Sequence, residues 1–171
     1  MLKTAALILI AASACTVGFG FAGTVQAQCR QLEDLSDALL YMKNEMTYRM
    51  TPLCDIFEAL SCREPGAVGA LFASAAQALQ SDCMTDAYGA LNEAVASVKG
   101  LVLSAHAKRT VLNLAASLGK FDIDGQERVL ALAQEQLASE LISLRANASK
   151  RAASYRTIGI CAGLAAAVIL V

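Results

Sequence analysis

Long apolar stretches at both ends of the chain enclose a middle in which apolar and polar residues alternate with helical spacing. Residues 1–27 carry one charged side chain, and residues 158–171 carry none. All acidic residues lie between Glu33 and Glu140. Because about 20 apolar residues in a helix span a hydrocarbon core, this pattern predicts an N-terminal transmembrane helix, a water-exposed domain over residues 28–157 and a short C-terminal transmembrane anchor.

The first apolar segment has a second interpretation, as a secretory signal peptide. Lys3 would be its charged start, residues 7–10 its apolar stretch and residues 25–27 a cleavage site of small residues. The length of the segment favours a retained transmembrane helix. Cleavage after Ala27 is the alternative, and it would give an exported, membrane-anchored helical binding protein with disulfides.

The C-terminal anchor repeats small residues at every fourth position, at Gly159, Gly163 and Ala167. In a bilayer, such a helix face lets two backbones approach closely, so the spacing predicts a transmembrane packing seam. Glycine is also common in membrane helices generally, and the spacing alone leaves both interpretations open.

Positive charge is concentrated where the middle domain meets the two apolar segments. Lys150, Arg151 and Arg156 precede the C-terminal anchor, and Arg30 follows the first segment, whereas Lys3 lies at the opposite end of that segment. Loops rich in Lys and Arg stay on the cytoplasmic side of a membrane. The pattern therefore predicts a cytoplasmic middle domain.

The middle domain has the apolar periodicity of helices. Between residue 28 and about residue 48, apolar side chains recur at steps of three and four and mark the buried stripe of a first helix: Leu32, Leu35, Leu39, Met42 and Met46. Alternating runs of Val, Ile and Thr, which are typical of strands, are absent from the sequence. These features predict an all-α fold, an antiparallel helical bundle of about six helices between two transmembrane helices.

Capping and turn residues divide the rest of the domain. Thr51 as a cap and Pro52 at the first helical position predict the start of a second helix, which ends before Pro65 and Gly66. Further turn signals predict helices over residues 67–80, from a cap at Asp82 or Thr85 to about residue 98, and over residues 101–118.

The last predicted helix is long. Gly119 is placed to end the preceding helix, and Asp124 with Glu127 three residues later resembles a capping box. No proline follows, and glycine returns only at Gly159, so one helix is predicted to run from the domain into the anchor. Its apolar residues form a coiled-coil-like seam: Leu130, Ala133, Leu137, Leu141, Leu144 and Ala148.

Composition and charge narrow the possible functions. The chain is 56% hydrophobic with a mean hydropathy of +0.49. Residues 28–157 carry 13 basic and 15 acidic side chains, a net charge of about −2, whereas nucleic-acid binders need a basic surface. His106 is the one histidine, and no catalytic or phosphate-binding motif accompanies it. We therefore expect no enzymatic activity, no metal, no cofactor, no nucleic acid and no small-molecule substrate.

The six cysteines contain no CxxC pair and no zinc-finger spacing: they are Cys15, Cys29, Cys54, Cys62, Cys83 and Cys161. In a cytoplasmic domain they would be reduced, small apolar side chains. If the domain were outside the cell, the four that lie in it could form two disulfides.

Short segments along nearly the whole chain resemble the stage III sporulation protein AB family of endospore-forming bacteria. In the order of the sequence, these landmarks are Gly18–Ala22, Arg30–Leu32, Leu35, Ala38–Leu39, Glu45–Tyr48, Thr51–Leu53, Ser117–Lys120, Asp122, Gln126 and Tyr155–Gly159. Residues 64–97 contribute no landmark. A match spread in this way is more specific than any single motif.

The resemblance implies a helical bundle similar to half of the inner-membrane platform protein of type II secretion and type IV pilus systems. It implies a place in the mother-cell membrane facing the forespore, in the channel complex between the two cells. The partners it implies are the lipid bilayer, a cytoplasmic secretion-type ATPase and other membrane components of that complex. We hypothesise that the bundle receives the contact of the ATPase and that the long last helix passes force or position to the membrane complex.

Overall fold

Helices account for the regular structure of the described chain. The computed structural model describes the backbone of residues 2–81, 86–118 and 123–170, and the side chains of residues 23–81, 86–118 and 125–148. Within these ranges there are six α-helices, one π-helical turn and no strand. They are α1 (Leu2–Asn44), the π-helical turn (Glu45–Arg49), α2 (Leu53–Arg63), α3 (Gly66–Ser81), α4 (Ala87–Ser97), α5 (Ala105–Ser117) and α6 (Ile123–Leu170). The all-helical prediction is confirmed.

The chain divides into two compact units. One unit is Gln26–Leu141, and the other combines Met1–Val25 with Ile142–Val171. The first unit contains α2 to α5 whole, together with the second half of α1 and the first part of α6. It is the helical bundle, and all contacts described below lie within it.

The core of the bundle draws large apolar side chains from α1, α2, α3, α4 and α6. The largest that are almost fully buried are Phe57, Phe72, Leu32, Leu35, Leu39, Met42, Ile56, Leu60, Leu71, Leu91, Leu130 and Leu137. Burying one such side chain stabilises the fold by roughly 1.5–3 kcal/mol relative to leaving it in water. Phe57 of α2 and Phe72 of α3 pack with ring centroids 5.5 Å apart, within the favourable range for aromatic pairs.

Polar bonds fix α1 against distant parts of the bundle. The Gln31 amide donates from Nε2 to the carbonyl oxygen of Gly100 at 2.8 Å and accepts from the Val102 N–H at 2.8 Å. The Gln31 side chain therefore satisfies one backbone carbonyl and one backbone N–H in the loop between α4 and α5. In this loop Gly100 has a φ of +85°, a conformation that glycine adopts readily. At the other end of the α1 segment in this unit, Lys43 pairs with Glu127 of α6 at 2.9 Å.

The predicted start of the second helix is wrong by about one residue. The helix α2 begins at Leu53, and Pro52 occupies the N-cap position without a side-chain cap bond. Thr51 does not cap the helix, because its hydroxyl donates to the carboxylate of Glu45 instead. This bond goes to a charged acceptor in the π-helical turn, and such bonds are stronger than those to neutral groups.

The caps of the two middle helices also differ from the prediction. Asp86 caps α4 by accepting from the Gly89 N–H at 2.8 Å, whereas Asp82 and Thr85 lie outside the described residues. Residues 101–104 are not helical, and Ser104 caps α5 by accepting from the Ala107 N–H at 3.0 Å. Both observed caps follow the preference for Asp and Ser at this position.

The long last helix is confirmed, but its predicted cap is not. The helix α6 begins at Ile123, so Asp124 and Glu127 lie in its first turns rather than at a capping box. Glu127 pairs with Lys43, as described above. Gly119 lies outside the described residues. Along the predicted seam, Leu130, Ala133 and Leu137 are buried, and Leu141, Leu144 and Ala148 are half-buried.

A search of the described residues finds no helix with the length and apolar character required to cross a membrane.

The predicted transmembrane segments lie mostly outside that search. The side chains of residues 1–22 and of all residues after 148 are outside the described set, which includes the packing residues Gly159, Gly163 and Ala167. The transmembrane helices and their packing seam therefore stay predictions.

Close packing where α2 meets α3 gives a test of the fold. A Cβ added at Gly69 would clash with the Glu64 carbonyl oxygen and would lie 3.1 Å from that of Ser61. Since both obstacles are backbone atoms, Gly69→Ala is expected to lower the free energy of unfolding by roughly 1–3 kcal/mol. The measurement is thermal unfolding of the full-length protein in detergent.

Gly23→Ala is the matched control, because a Cβ added there meets nothing within 4 Å and alanine favours helix. Equal melting temperatures for the two variants would contradict the close approach at Gly69.

Candidate partner-binding corner

The turn between α1 and α2 contains the one π-helical segment among the described residues, Glu45–Arg49. A π-helical turn holds one more residue than an α-helical turn, so it shifts the faces of the residues that follow. The sequence pattern predicts that Met46 continues the buried stripe of α1. Instead Glu45 is buried, and Met46 is half-buried. Segments of this kind occur frequently at functional sites.

Glu45 holds the turn together through both its side chain and its backbone. Its carboxylate accepts from the Arg49 guanidinium at 3.1 Å and from the Thr51 hydroxyl at 2.8 Å. Its carbonyl oxygen accepts from the Met50 N–H and from the Thr51 N–H, the latter at 3.2 Å. Bonds to an ionised carboxylate are stronger than neutral ones, so four donors converge on one residue and fix the path of the turn.

The turn presents two large apolar side chains to solvent. Tyr48 is 80% exposed and Met50 is 71% exposed. Met50 has a φ of 53°, the left-handed conformation that non-glycine residues adopt rarely. We define the α1–α2 corner as residues 45–52. It combines a pinned backbone with an exposed aromatic ring and a flexible thioether, which are residue types enriched at protein–protein interfaces.

Leu40 is a further exposed apolar side chain on α1. It is half-exposed, and it lies two helical turns before Tyr48 on the chain. The exposed Asn44 lies between them in the sequence. Arg49 is the charged side chain next to Tyr48, and its guanidinium is already bound to Glu45. The corner therefore offers mainly apolar contacts, which suits binding of a protein partner rather than chemistry on a small molecule.

A second polar cluster resembles a catalytic set in composition only. Ser104 and His106, at the start of α5, both bond to the carboxylate of Glu140 on α6, with Nδ1 of His106 3.0 Å from Oε2. The Ser104 hydroxyl donates to Glu140 and accepts from the N–H of Ala107. A serine nucleophile needs its hydroxyl bonded to the base, whereas here the carboxylate occupies it. The cluster joins α5 to α6.

The other residues considered from the sequence are possible metal ligands and cysteines. Over the part of the chain that the structure describes, no three His, Cys, Asp or Glu side chains gather to form a metal site. Cys29 and Cys54 are half-buried free thiols, and Cys62 is an exposed free thiol. Cys83 lies outside the described residues.

Sequence reasoning missed the role of Glu45. The signal that could have shown it is an acidic residue within an apolar stripe, followed four residues later by an arginine. That spacing places both charges on one helix face. The segment Glu45–Tyr48 was a landmark of the family resemblance, but the pattern alone did not show that its acid is buried.

Comparisons with known proteins agree on one family. The family model described as Stage III sporulation protein AB (spore_III_AB) matches residues 3–171 of the chain. A solved structure described as stage III sporulation protein AB (SpoIIIAB) is similar, with 19% sequence identity and a TM-score of 0.64. The similarity covers 72% of this chain and 97% of that chain, and at this identity it supports the fold alone. No curated protein sequence matches significantly.

The hydrogen bonds of Glu45 predict that its replacement loosens the corner. Glu45→Ala removes the acceptor of Arg49 and Thr51, and we expect a loss of about 1–2 kcal/mol in the free energy of unfolding. Amide hydrogen exchange should increase over residues 45–53. The matched control is Glu58→Ala, at an exposed position on α2. Equal exchange over residues 45–53 in both variants would show that the carboxylate does not hold the corner.

Proposed function

Since the chain belongs to the stage III sporulation protein AB family, whose name assigns it a role in sporulation, we propose that it is a membrane platform protein without enzymatic activity. Its place would be the secretion-like channel complex between the mother cell and the forespore. Two transmembrane segments, residues 1–27 and 158–171, would hold it in the mother-cell membrane that faces the forespore. The bundle would lie in the cytoplasm of the mother cell.

The sequence supports the tethered arrangement at both ends of the bundle. The two apolar segments flank a domain that contains every acidic residue of the chain. Basic residues adjoin both segments on the side of the bundle, as expected for a cytoplasmic domain. The small residues Gly159, Gly163 and Ala167 would pack the anchor against other membrane components of the complex.

We propose that the α1–α2 corner is the surface that binds a cytoplasmic partner. Along α1, the corner lies about 30 Å from Gln26, at 1.5 Å per residue. The corner is therefore remote along the helix from the proposed transmembrane segment, and its exposed Tyr48 and Met50, fixed by Glu45, would be available to a soluble protein. We assign this surface to the secretion-type ATPase of the channel complex.

The helix α6 would transmit the effect of that contact. It is continuous from Ile123 to Leu170, and its first part is buried in the bundle at Leu130 and Leu137. Between Gly125 and Gly159 the helix contains neither proline nor glycine, the residues at which helices most often kink, so this part resists bending. A displacement of the bundle would therefore reach the residues of the C-terminal anchor.

Truncating the exposed side chains of the corner tests the ATPase contact. Tyr48→Ala combined with Met50→Ala should weaken co-purification of the ATPase by about tenfold or more, because interface aromatic residues contribute about 1–2 kcal/mol or more each. The fold should be unaffected, since both side chains are largely exposed. The measurements are co-purification from sporulating cells and spore yield.

The matched control is Tyr88→Ala on α4, which is 42% exposed and lies outside the corner. The control should retain both the ATPase and the spore yield. Normal ATPase co-purification with the double variant would overturn the assignment of the corner, whatever the spore yield.

Thiol accessibility tests the cytoplasmic position of the bundle. Cys62 is exposed and free, so it should react rapidly with a thiol reagent that reaches it. In intact cells, a membrane-impermeant maleimide should leave Cys62 unlabelled, and a permeant maleimide should label it. Cys62→Ser identifies the signal. Labelling of Cys62 by the impermeant reagent before lysis would favour the exported form that is cleaved after Ala27.

A further inference from the structure

The loop between α4 and α5 is apolar although it lies at the surface. We define the α4–α5 loop as residues 98–104. Its Leu103 is buried, whereas Val98, Leu101 and Val102 are half-buried and keep part of their apolar surface in solvent. Surface loops are generally polar, and exposed apolar surface that is clustered in this way marks an interaction site.

Contacts with α1 and α6 place this loop at one end of the bundle. Gln31 of α1 binds the loop, and it lies about 8 Å along its helix from Gln26, where the unit begins. Ser104, the last residue of the loop, donates to Glu140 of α6, one residue before the unit ends. The loop therefore lies at the end of the bundle where α1 enters and α6 leaves. The α1–α2 corner lies at the other end of this part of α1.

The loop and the helix that follows it carry basic side chains without acidic ones. No acidic residue occurs between Glu93 and Asp122, and this interval contains four basic residues: Lys99, Lys108, Arg109 and Lys120. Lys99 and Arg109 are exposed, and so is Arg30, which immediately precedes the loop-binding residue of α1. Basic side chains clustered at one end of a molecule attract anionic surfaces.

The backbone of the loop is already hydrogen-bonded within the protein. The Gly100 carbonyl oxygen and the Val102 N–H both pair with the Gln31 amide, and the Val98 N–H donates to the Ala94 carbonyl oxygen at 3.0 Å. Backbone groups without a partner are costly to remove from water. Because these three groups have partners, the loop can approach an apolar phase at a lower cost than an open loop.

We propose that the α4–α5 loop rests on the anionic surface of the lipid bilayer. Val98, Leu101 and Val102 meet the boundary of the acyl chains. Lys99 and Arg109 bind the phosphates of the headgroups. Attachment of this kind strengthens with the apolar area removed from water and with the attraction between basic side chains and anionic lipids. The contact rests on the proposed function, because the transmembrane segments bring the bundle to the bilayer.

The sequence favours lipid over an acidic protein as the occupant of this surface. Along α1, Gln31 lies about 6 Å from residue 27, the end of the proposed transmembrane segment. On α6, the interval between the bundle and the proposed anchor contains three further basic residues, Lys150, Arg151 and Arg156. The apolar loop is thus bound to the two helices that lead to the apolar segments of the chain.

Charge on the rest of the bundle would orient it on this surface. Residues 31–64, which include α2 and the α1–α2 corner, contain seven acidic and three basic side chains. An anionic surface repels this side and attracts the α4–α5 loop. The loop would therefore be a third attachment to the membrane, beside α1 and α6, and it would keep the α1–α2 corner turned away from the lipid.

Tryptophan fluorescence can test the contact, because the chain contains no tryptophan and one introduced indole reports on one position. Full-length Leu101→Trp protein is placed in nanodiscs of phosphatidylcholine brominated on its acyl chains, either alone or with an equal part of phosphatidylglycerol. Bromine quenches an indole that reaches the acyl chains. We expect strong quenching in the discs that contain phosphatidylglycerol. Lys99→Glu in the same protein should lower the equilibrium constant for the contact about fivefold or more.

Two matched variants serve as controls. Tyr48→Trp places the indole at the α1–α2 corner, where Tyr48 is 80% exposed, and its emission should not be quenched. Arg128→Glu reverses one exposed charge on α6, next to the Lys43–Glu127 pair rather than next to the loop. It should leave the quenching of Leu101→Trp unchanged.

Hydrogen exchange of the wild type is a second measurement, which avoids any disturbance by the indole. Residues 98–103 should exchange more slowly in discs with phosphatidylglycerol than in discs of phosphatidylcholine alone. Quenching of Leu101→Trp no stronger than that of Tyr48→Trp, or equal exchange in the two discs, would overturn the proposal. Protection of residues 98–103 in native membranes but in neither disc would assign the surface to a protein and also overturn it.

The same experiment separates this contact from the proposed transmembrane tether. A protein that does not enter the discs would contradict the tether, and the loop contact with it. A protein that enters the discs but shows an unquenched indole at residue 101 would contradict the loop contact alone.

Discussion

The buried face of α1 is the constraint on which the bundle depends. Five of its residues have at most 1% of their surface exposed: Leu32, Leu35, Ala38, Leu39 and Met42. Hydrophobic burial is not directional, so this face alone would allow α1 to slide or rotate against its neighbours. The polar contacts at its margins restrict it, since Gln31 binds the α4–α5 loop, Tyr41 contacts Arg63 of α2 and Lys43 pairs with Glu127 of α6.

The free energies of apolar burial and of the polar contacts differ in size, and this difference shows what each contributes to the fold. One buried leucine contributes roughly 1.5–3 kcal/mol, whereas a partly exposed ion pair such as Lys43–Glu127 contributes at most about 1 kcal/mol. The apolar face therefore supplies the stability, and the polar contacts select one arrangement among those of similar apolar burial.

How much of this could be predicted from the sequence depended on how regular each segment is. The apolar spacing of α1 and α6 predicted both helices, and the all-helical fold followed from the absence of strand patterns. The family was recognised from short segments spread along the chain. The prediction was wrong at Met46, because a π-helical turn shifts the buried position to Glu45, and a period of 3.6 contains no signal for an inserted residue.

Cap assignments were wrong for a different reason. Thr51 matched the preference for an N-cap, but the local pattern could not show that the buried carboxylate of Glu45, six residues earlier, would accept a hydrogen bond from its hydroxyl. Ser104 was overlooked because the preceding Val102 and Leu103 were read as helix. The Gln31 bonds and the contact of Tyr41 with Arg63 join residues far apart in sequence, and a single sequence gives no indication of such pairs.

In the proposed function, transmission from the corner to the membrane would depend on how firmly α6 is attached to the bundle. Burial along α6 is nearly complete at Leu130 and Leu137, and it becomes partial at Leu141. Glu140, just before that change, binds both Ser104 and His106 of the neighbouring α5 segment. A helix transmits a displacement only if it cannot slide where the force enters. The apolar contacts resist movement away from the bundle, and the Glu140 contacts resist movement along the helix axis, so the two together make α6 a suitable lever for the proposed platform.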